Sequence, residues 1–205
     1  MAAIILSGGN NQRIGDEKAF LRIGQKTIIE KEITVLSTIF TRIIIVTNCP
    51  EKYKHLEVDL VPDLIPDKGP LGGIYSGLTI SEDKHDFVVS CDLPFLNTEL
   101  ISYMKELIGQ HDIIIPRLER FLEPLHAIYS KDCLTSIKKY LDKNNLRIQS
   151  FFTEKSIKYI DKTEVKRFDP AGIAFFNVNT EENLKRARSI AVDMARMDKR
   201  VQGKL

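Results

Sequence analysis

The sequence predicts an α/β fold: a three-layer α/β/α sandwich on a mostly parallel, Rossmann-like sheet. Three observations predict it. Several short apolar runs are continuous rather than alternating, which is how strands read when both of their faces are buried. Segments of helical period lie between them. A glycine-rich stretch follows the first run directly, and a layered α/β sheet binds its ligands beyond the carboxyl ends of its strands.

The elements follow in order. Strands are expected at AAIIL (2–6), RIIIVT (42–47), DFVVSC (86–91), DIIIP (112–116) and GIAFFNV (172–178), all rich in Ile, Val and Phe. A first helix is expected in TIIEKEITVLSTI (27–39), where Ile28, Ile29, Ile33, Val35, Leu36 and Ile39 approach the 3.6-residue period. NTELISYMKELIGQ (97–110) carries Leu100, Ile101, Met104, Leu107 and Ile108 on one side, with Asn97 or Thr98 as its N-cap. KDCLTSIKKYLDK (131–143) and TEENLKRARSIAVDMARM (180–197) show the same pattern, and Thr180 is placed to cap the latter. Strands alternating with helices give a layered sandwich.

The chain has 205 residues, which suits one domain. Residues 1–190 read as that domain and 191–205 as a helix end and loose tail. With 43% hydrophobic and 28% charged residues the composition is that of an ordinary globular protein. A net charge of +2 gives no ground for a nucleic-acid or membrane partner. No run approaches the roughly 20 apolar residues that span a bilayer, and AAIIL lacks the basic flank of a signal peptide. Cys49, Cys91 and Cys133 are far apart and odd in number, so they read as reduced thiols of a cytoplasmic protein, without a CxxC pair.

Four stretches carry chemistry. In LSGGNNQRIGDEK (6–18) the glycines let the backbone approach a ligand, and successive N–H groups form an anion nest beside Arg13 and Lys18. It is not a Walker A loop, because Gly9 to Gly15 is one residue too long and Asp16 follows; nor is it G-x-G-x-x-G. DLIPDKGPLGGIYSGL (63–78) sets aspartates before a glycine-proline turn that leads into a short helix with free N–H groups. VVSCDLPFL (88–96) ends a buried strand in Asp92, and Pro94 prevents its continuation. Asp92 fits either a Mg²⁺ ligand or a turn-forming Asx residue. In GIAFFNVNTEENL (172–184) Asn177 and Asn179 alternate on the expected last strand and point to one side, as ligand contacts or turn formers.

Together these stretches resemble one family, the molybdenum cofactor guanylyltransferases, and more broadly nucleotidyltransferases with a GT-A-type sheet. The family pattern L-[AS]-G-G-x-x-x-R-[MIF]-G-x-D-K matches Leu6 to Lys18, G-P-L-[AG]-G-I matches Gly69 to Ile74, and C-D-x-P-F-[LI] matches Cys91 to Leu96. E-P-L-x-A-x-Y matches Glu123 to Tyr129, and F-x-N-[VI]-N-T-x-E-[DN]-L matches Phe175 to Leu184. The order and rough spacing hold over residues 3–185. One departure is Glu17, which stands where the family has Asp.

The resemblance implies transfer of GMP from GTP to the molybdopterin cofactor, with release of pyrophosphate. By the same resemblance Leu6, Ser7, Gly8 and Gly9 line the nucleotide site, Arg13 and Lys18 hold the triphosphate, and Thr47 or Asn48 contacts the base. Asp63 contacts the nucleoside, and Gly69, Pro70, Leu71 and Gly73 complete the nucleotide set. Asp92 binds Mg²⁺, so Arg13, Lys18 and Asp92 form the catalytic set. Glu123, Pro124, Leu125, Asn177 and Asn179 face the acceptor, one asparagine beside the metal. His126 is an acceptor-pocket or a packing residue; His55, His85 and His111 are assigned nothing. Cofactor-insertion proteins or molybdoenzyme apoproteins are the candidate protein partners. Family members differ in nucleotide and acceptor, so CTP, a sugar phosphate acceptor, or a non-catalytic nucleotide-binding subunit stay open.

Overall fold

The computed structural model describes residues 1–8 and 18–202, with side chains through Arg196. Gly9 and Arg13, expected in the nucleotide site, lie outside the described residues, as does Glu17.

The first strand, β1 (Ala3–Leu6), is followed by a small hairpin, β2 (Arg22–Ile23) and β3 (Lys26–Thr27), then α1 (Ile28–Leu36), β4 (Ile43–Val46) and β5 (Asp59–Val61). Next come α2 (Gly69–Ile80), β6 (His85–Ser90), α3 (Thr98–Glu106), β7 (Ile113–Leu118), β8 (Phe121–Leu122) and β9 (His126–Ser130). The chain ends with α4 (Leu134–Asp142), β10 (Ile157–Asp161), α5 (Lys162–Lys166) and α6 (Glu181–Gln202). The main sheet is eight-stranded in the order β10-β7-β9-β6-β1-β4-β5, with β8 paired to β7. β1 lies parallel to β4 and β6, with Ile5 opposite both Ile45 and Val89. β9 runs antiparallel between β6 and β7, and β10 is parallel to β7. The expected mostly parallel α/β/α sandwich is the fold observed.

Strand parity divides the core in two. Ala3, Ile5, Ile45, Phe87, Val89 and Ile128 face α1 and α3, where they meet Ile29, Leu36, Leu100 and Met104. Ile4, Leu6, Ile44, Val88 and Tyr129 face α2 and α4, against Leu71, Ile74, Leu78 and Ile137. The runs read as continuous because both faces of these strands are covered. A third cluster, with Ile23, Ile28, Phe95, Val178, Leu184 and Ala187, packs α6 under the small hairpin.

Helix starts follow local chemistry. Thr27 and Glu30 form a capping box at α1, with Thr27 N–H donating to Glu30 Oε2 at 2.7 Å. Asn97 is the N-cap of α3, its Oδ1 accepting Leu100 N–H at 2.8 Å. Thr180 Oγ1 accepts Asn183 N–H at 3.1 Å in the first turn of α6.

One expected strand is corrected. Residues 172–178 form no strand. Asp169, only 4% exposed, takes Ile173 N–H at 3.1 Å and Ala174 N–H at 2.8 Å on its two carboxylate oxygens. Phe176 N–H turns back to Ile173 carbonyl at 3.0 Å. These bonds satisfy the backbone locally, so the segment needs no ladder even though its apolar side chains are buried or half-buried. The sheet edge next to β7 is formed by β10, whose half-polar sequence IKYID gives no continuous apolar run.

Helix and sheet come close at Gly77 of α2, where a Cβ would meet Ile4 Cγ2 at 2.5 Å. Gly77→Ala is therefore expected to destabilise the protein by about 1–3 kcal/mol through overpacking, despite its better helix propensity. Urea denaturation should show a lower midpoint at unchanged m-value.

Candidate active site

The carboxyl ends of β1, β4 and β6 share one edge of the sheet, which is where such folds bind ligands. β1 ends at Leu6, and Ser7 N–H continues to the Val46 carbonyl at 2.9 Å. The Ser7 hydroxyl turns inward to the Tyr53 hydroxyl, so its side chain belongs to the interior. Leu6 packs on Gly73, where a Cβ would sit 3.2 Å from Leu6 Cδ2; glycine there lets α2 close onto the end of β1. Leu71 is likewise fully buried. Gly8, on the exposed side, opens into the glycine loop.

Asp63 shapes the approach to α2. Its Oδ1 lies 2.8 Å from Ser76 Oγ and accepts Ile65 N–H at 3.3 Å, while its own N–H donates to Asn48 Oδ1 at 3.2 Å. Thr47 is buried and its Oγ1 accepts Cys49 N–H at 3.2 Å. Of the two base-contact candidates Asn48 is the exposed one. Gly69 adopts a positive φ of 57°, and with Pro70 it presents the first turn of α2 to solvent. That turn leaves backbone N–H groups directed at the same edge.

The turn after β6 is held from three sides. The Asp92 carboxylate accepts the Ser90 hydroxyl at 2.7 Å, and the Asp92 carbonyl accepts Val178 N–H at 2.9 Å. Leu93 N–H donates to Glu32 Oε1 at 3.0 Å. Lys18 Nζ donates to Asn179 Oδ1 at 2.5 Å. Segment 177–179 thus lies between Lys18 and Asp92, with Asn177 and Asn179 exposed on either side of buried Val178. The two asparagines were expected on one side of a strand; they are exposed residues of a loop instead.

Glu32 was missed in the sequence, where it is one polar residue among several on an amphipathic helix. Its side chain is 1% exposed, and its Oε2 has no hydrogen-bond partner among the described residues. Burial pushes its carboxyl well above the usual range; the Leu93 N–H opposes this and the Asp92 charge adds to it. A charged-residue pattern alone could not signal this, because a glutamate facing the core reads like one facing water. The Cys91 thiol beside it is pushed up to about 12, by burial and then by Glu32, so it supplies no thiolate nucleophile.

On the other side, Glu123, Pro124 and Leu125 lead into β9 half-buried. Leu125 carbonyl accepts Ser90 N–H at 3.2 Å, tying them to the Asp92 turn. Burial raises the Glu123 carboxyl. Of the two readings of His126, acceptor pocket or packing, its burial fits packing. It is 1% exposed and sits between the rings of Phe87 (centroids 5.1 Å apart) and Phe175 (4.8 Å). Strand parity turns it inward beside Phe87, and burial lowers its imidazole to about 3, so it is neutral at pH 7. Neither ring nitrogen has a hydrogen-bond partner among the described residues.

Residues 3–157 match the family model described as "MobA-like NTP transferase domain". A curated relative, "Probable molybdenum cofactor guanylyltransferase" of Peptoclostridium acidaminophilum, is 37% identical over 191 residues, covering 90% of this chain and 86% of the relative. "Molybdenum cofactor guanylyltransferase" of Syntrophotalea carbinolica is 32% identical over 189 residues, covering 91% and 90%. Among solved structures, molybdopterin-guanine dinucleotide biosynthesis protein A from Archaeoglobus fulgidus superposes with a TM-score of 0.81 at 26% identity, over 94% of this chain and 100% of that one.

Two buried titratable groups, Glu32 and His126, make opposite pH predictions. Glu32 titrates above its unfolded value of about 4.5, so its stabilising contribution is complete below that pH and falls as pH rises toward the folded value. Glu32→Gln keeps an oxygen for Leu93 N–H, and its stability relative to wild type should grow as pH rises from 5 to 8. His126 titrates below its unfolded value of about 6.5, so its contribution is complete above that pH and is lost as pH falls toward about 3. His126→Leu should gain on wild type as pH falls below 6.5. Each slope is bounded by about 1.4 kcal/mol per pH unit, and urea denaturation across the range measures both.

Proposed function

Because the chain belongs to the MobA-like NTP transferase domain family, we propose that it transfers GMP from GTP to molybdopterin, forming the guanine dinucleotide cofactor and pyrophosphate. The observation that carries this reading is the meeting of Lys18, Asn179 and the Asp92 turn through Val178 at the carboxyl edge of the sheet. The names of the curated relatives support guanine as the base and molybdopterin as the acceptor.

The nucleotide lies over the ends of β1 and β4 in this reading, against Leu6–Gly8 and the first turn of α2, with Asn48 and Asp63 at the nucleoside. A terminal phosphate oxygen of the acceptor attacks the α-phosphorus of GTP in line. A new O–P bond forms, the bond to the bridging oxygen breaks, and pyrophosphate leaves with the electron pair. The attacking oxygen is already ionised at neutral pH, so no general base is required; the buried, neutral His126 is consistent with that. Lys18, with Arg13 from the glycine loop, balances the charge on the phosphates, and the catalytic contribution is positioning and electrostatic. Asn177 and Asn179 lie where acceptor and triphosphate meet.

Among the described residues no group of three or more His, Cys, Asp or Glu side chains could hold a metal. Mg²⁺ commonly needs only one or two carboxylates plus phosphate oxygens and water, and the half-buried Asp92 carboxylate fits that demand. Asp92 would hold the ion, which when bound supplies Lewis-acid stabilisation of phosphate charge. Among the described residues no helix is long and apolar enough to cross a membrane. A cytoplasmic setting, with transfer of product to cofactor-insertion proteins or molybdoenzyme apoproteins, completes the reading.

Asp92→Ala is expected to lower turnover by ~10²-fold or more, the scale of losing one preorganised electrostatic group, while the thermal transition survives. Pyrophosphate release from GTP, Mg²⁺ and molybdopterin measures it. Near-normal turnover at saturating Mg²⁺ would remove Asp92 from the role. A thermal-shift panel should rank GTP above CTP, since ligand binding to the folded state raises its stability.

A further inference from the structure

The far half of the same sheet edge holds a cavity that none of the residues discussed so far explains. It has a volume of about 410 Å³ and opens where β7 and β10 end, between the β7–β8 turn, α5 and segment 169–175. This volume is in the range of small-molecule sites. Its walls include Phe121 and Phe175, with Lys166 beside them and Lys162 ion-paired to Glu119 Oε1 at 2.6 Å. Phe121 is 59% exposed, and the Arg120 guanidinium lies 5.1 Å from its ring centre. An aromatic ring held this open at a cavity mouth gains little from folding, whereas a stacked ligand would cover it.

The opposite wall is preformed. Asp169 pins Ile173 and Ala174 through two backbone hydrogen bonds, and Phe175 is packed on His126. The wall is also continuous with the transfer site. Phe175 precedes Val178 by three residues, and Val178 N–H is bonded to the Asp92 carbonyl at 2.9 Å. Three residues span at most ~11 Å. The cavity therefore lies within a small molecule's length of the Asp92 turn, on the side away from β1, β4 and β5.

We propose that this cavity receives the ring system of the acceptor: a flat, fused heterocycle bearing anionic substituents. The rings lie against Phe121 and Phe175, the anionic end faces Lys166, and the side chain with its terminal phosphate follows residues 175–179 to Asp92. This rests on the guanylyltransferase reading above and adds where, and by which chemistry, the acceptor is held. A protein segment docking on Phe121 is the competing occupant.

The test is equilibrium binding to the full chain of two probes, GTP and molybdopterin freshly released from a molybdoenzyme under anaerobic conditions. Phe121→Ser changes an exposed side chain, so its thermal transition should match wild type. It is expected to weaken molybdopterin binding about tenfold and leave GTP binding within twofold. Lys166→Glu should weaken molybdopterin binding likewise, and salt should narrow its difference from wild type. If wild type binds both probes and both variants bind molybdopterin as tightly as wild type, the cavity is not the acceptor site, and the guanylyltransferase reading stands without it. If wild type binds GTP but does not retain molybdopterin, that reading falls and the cavity assignment falls with it.

Discussion

The hydrogen bond from Val178 N–H to the Asp92 carbonyl joins two parts of the chain that the sheet does not pair. Asp92 follows the central strand β6, whereas Val178 belongs to a loop just before the last helix. Neither the Asp92 turn nor the 177–179 loop is a regular element, so neither is held by a ladder. The turn is held by Val178 on one side and by Glu32 through Leu93 N–H on the other. Val178 is also fully buried in the cluster that seats α6. Exposed Asn177 and Asn179 inherit their positions from that burial: the apolar residue between them leaves each amide little freedom of place. Lys18 then closes onto Asn179. The polar site is thus positioned by one buried valine and one backbone bond.

Two polar side chains are buried behind this arrangement at a cost. Glu32 leaves one carboxylate oxygen, and His126 leaves both ring nitrogens, without partners among the described residues. An unsatisfied buried group costs on the order of 1–3 kcal/mol. Glu32 offsets part of this by capping Leu93 N–H, a donor that the abrupt end of β6 would otherwise strand. His126 makes no such return in hydrogen bonds; its return is in rings, as it fills the space between Phe87 and Phe175. Both residues lie around the end of β6, and proteins commonly give up stability where a site must be held in one geometry.

The parallel strands were legible in the sequence because burial on both faces leaves unbroken runs of Ile, Val and Phe, as in β1, β4, β6 and β7. The caps Asn97 and Thr180 were legible because capping depends on a few adjacent residues. The strands that were missed have physical reasons too. β5 is three residues long, β10 is a half-polar edge, and β9 begins with a histidine that reads as polar although it is buried. The false strand at 172–178 had the right composition and the wrong backbone partners, since Asp169 supplies locally what a ladder would supply at a distance. Lys18, Asp92 and the asparagines could be proposed from motifs, because a motif depends only on residue type and order. Glu32 could not, because its role depends on which way α1 faces, and His126 could not be separated from its neighbours until strand parity was known.

The direction of β9 gives the site its two halves. On one side of β6 the order is β1, β4, β5, with parallel strands whose ends meet the first turn of α2. On the other side β9 runs antiparallel, so the residues that lead into it, Glu123 to Leu125, lie at the same edge as the ends of its neighbours. The strand order turns outward from β6 and β1 in opposite senses, which is the topological condition for a ligand crevice. Asp92 follows β6, the boundary strand. A transfer reaction needs donor and acceptor on opposite sides of one charged point, and this sheet has such a point where its connection order divides.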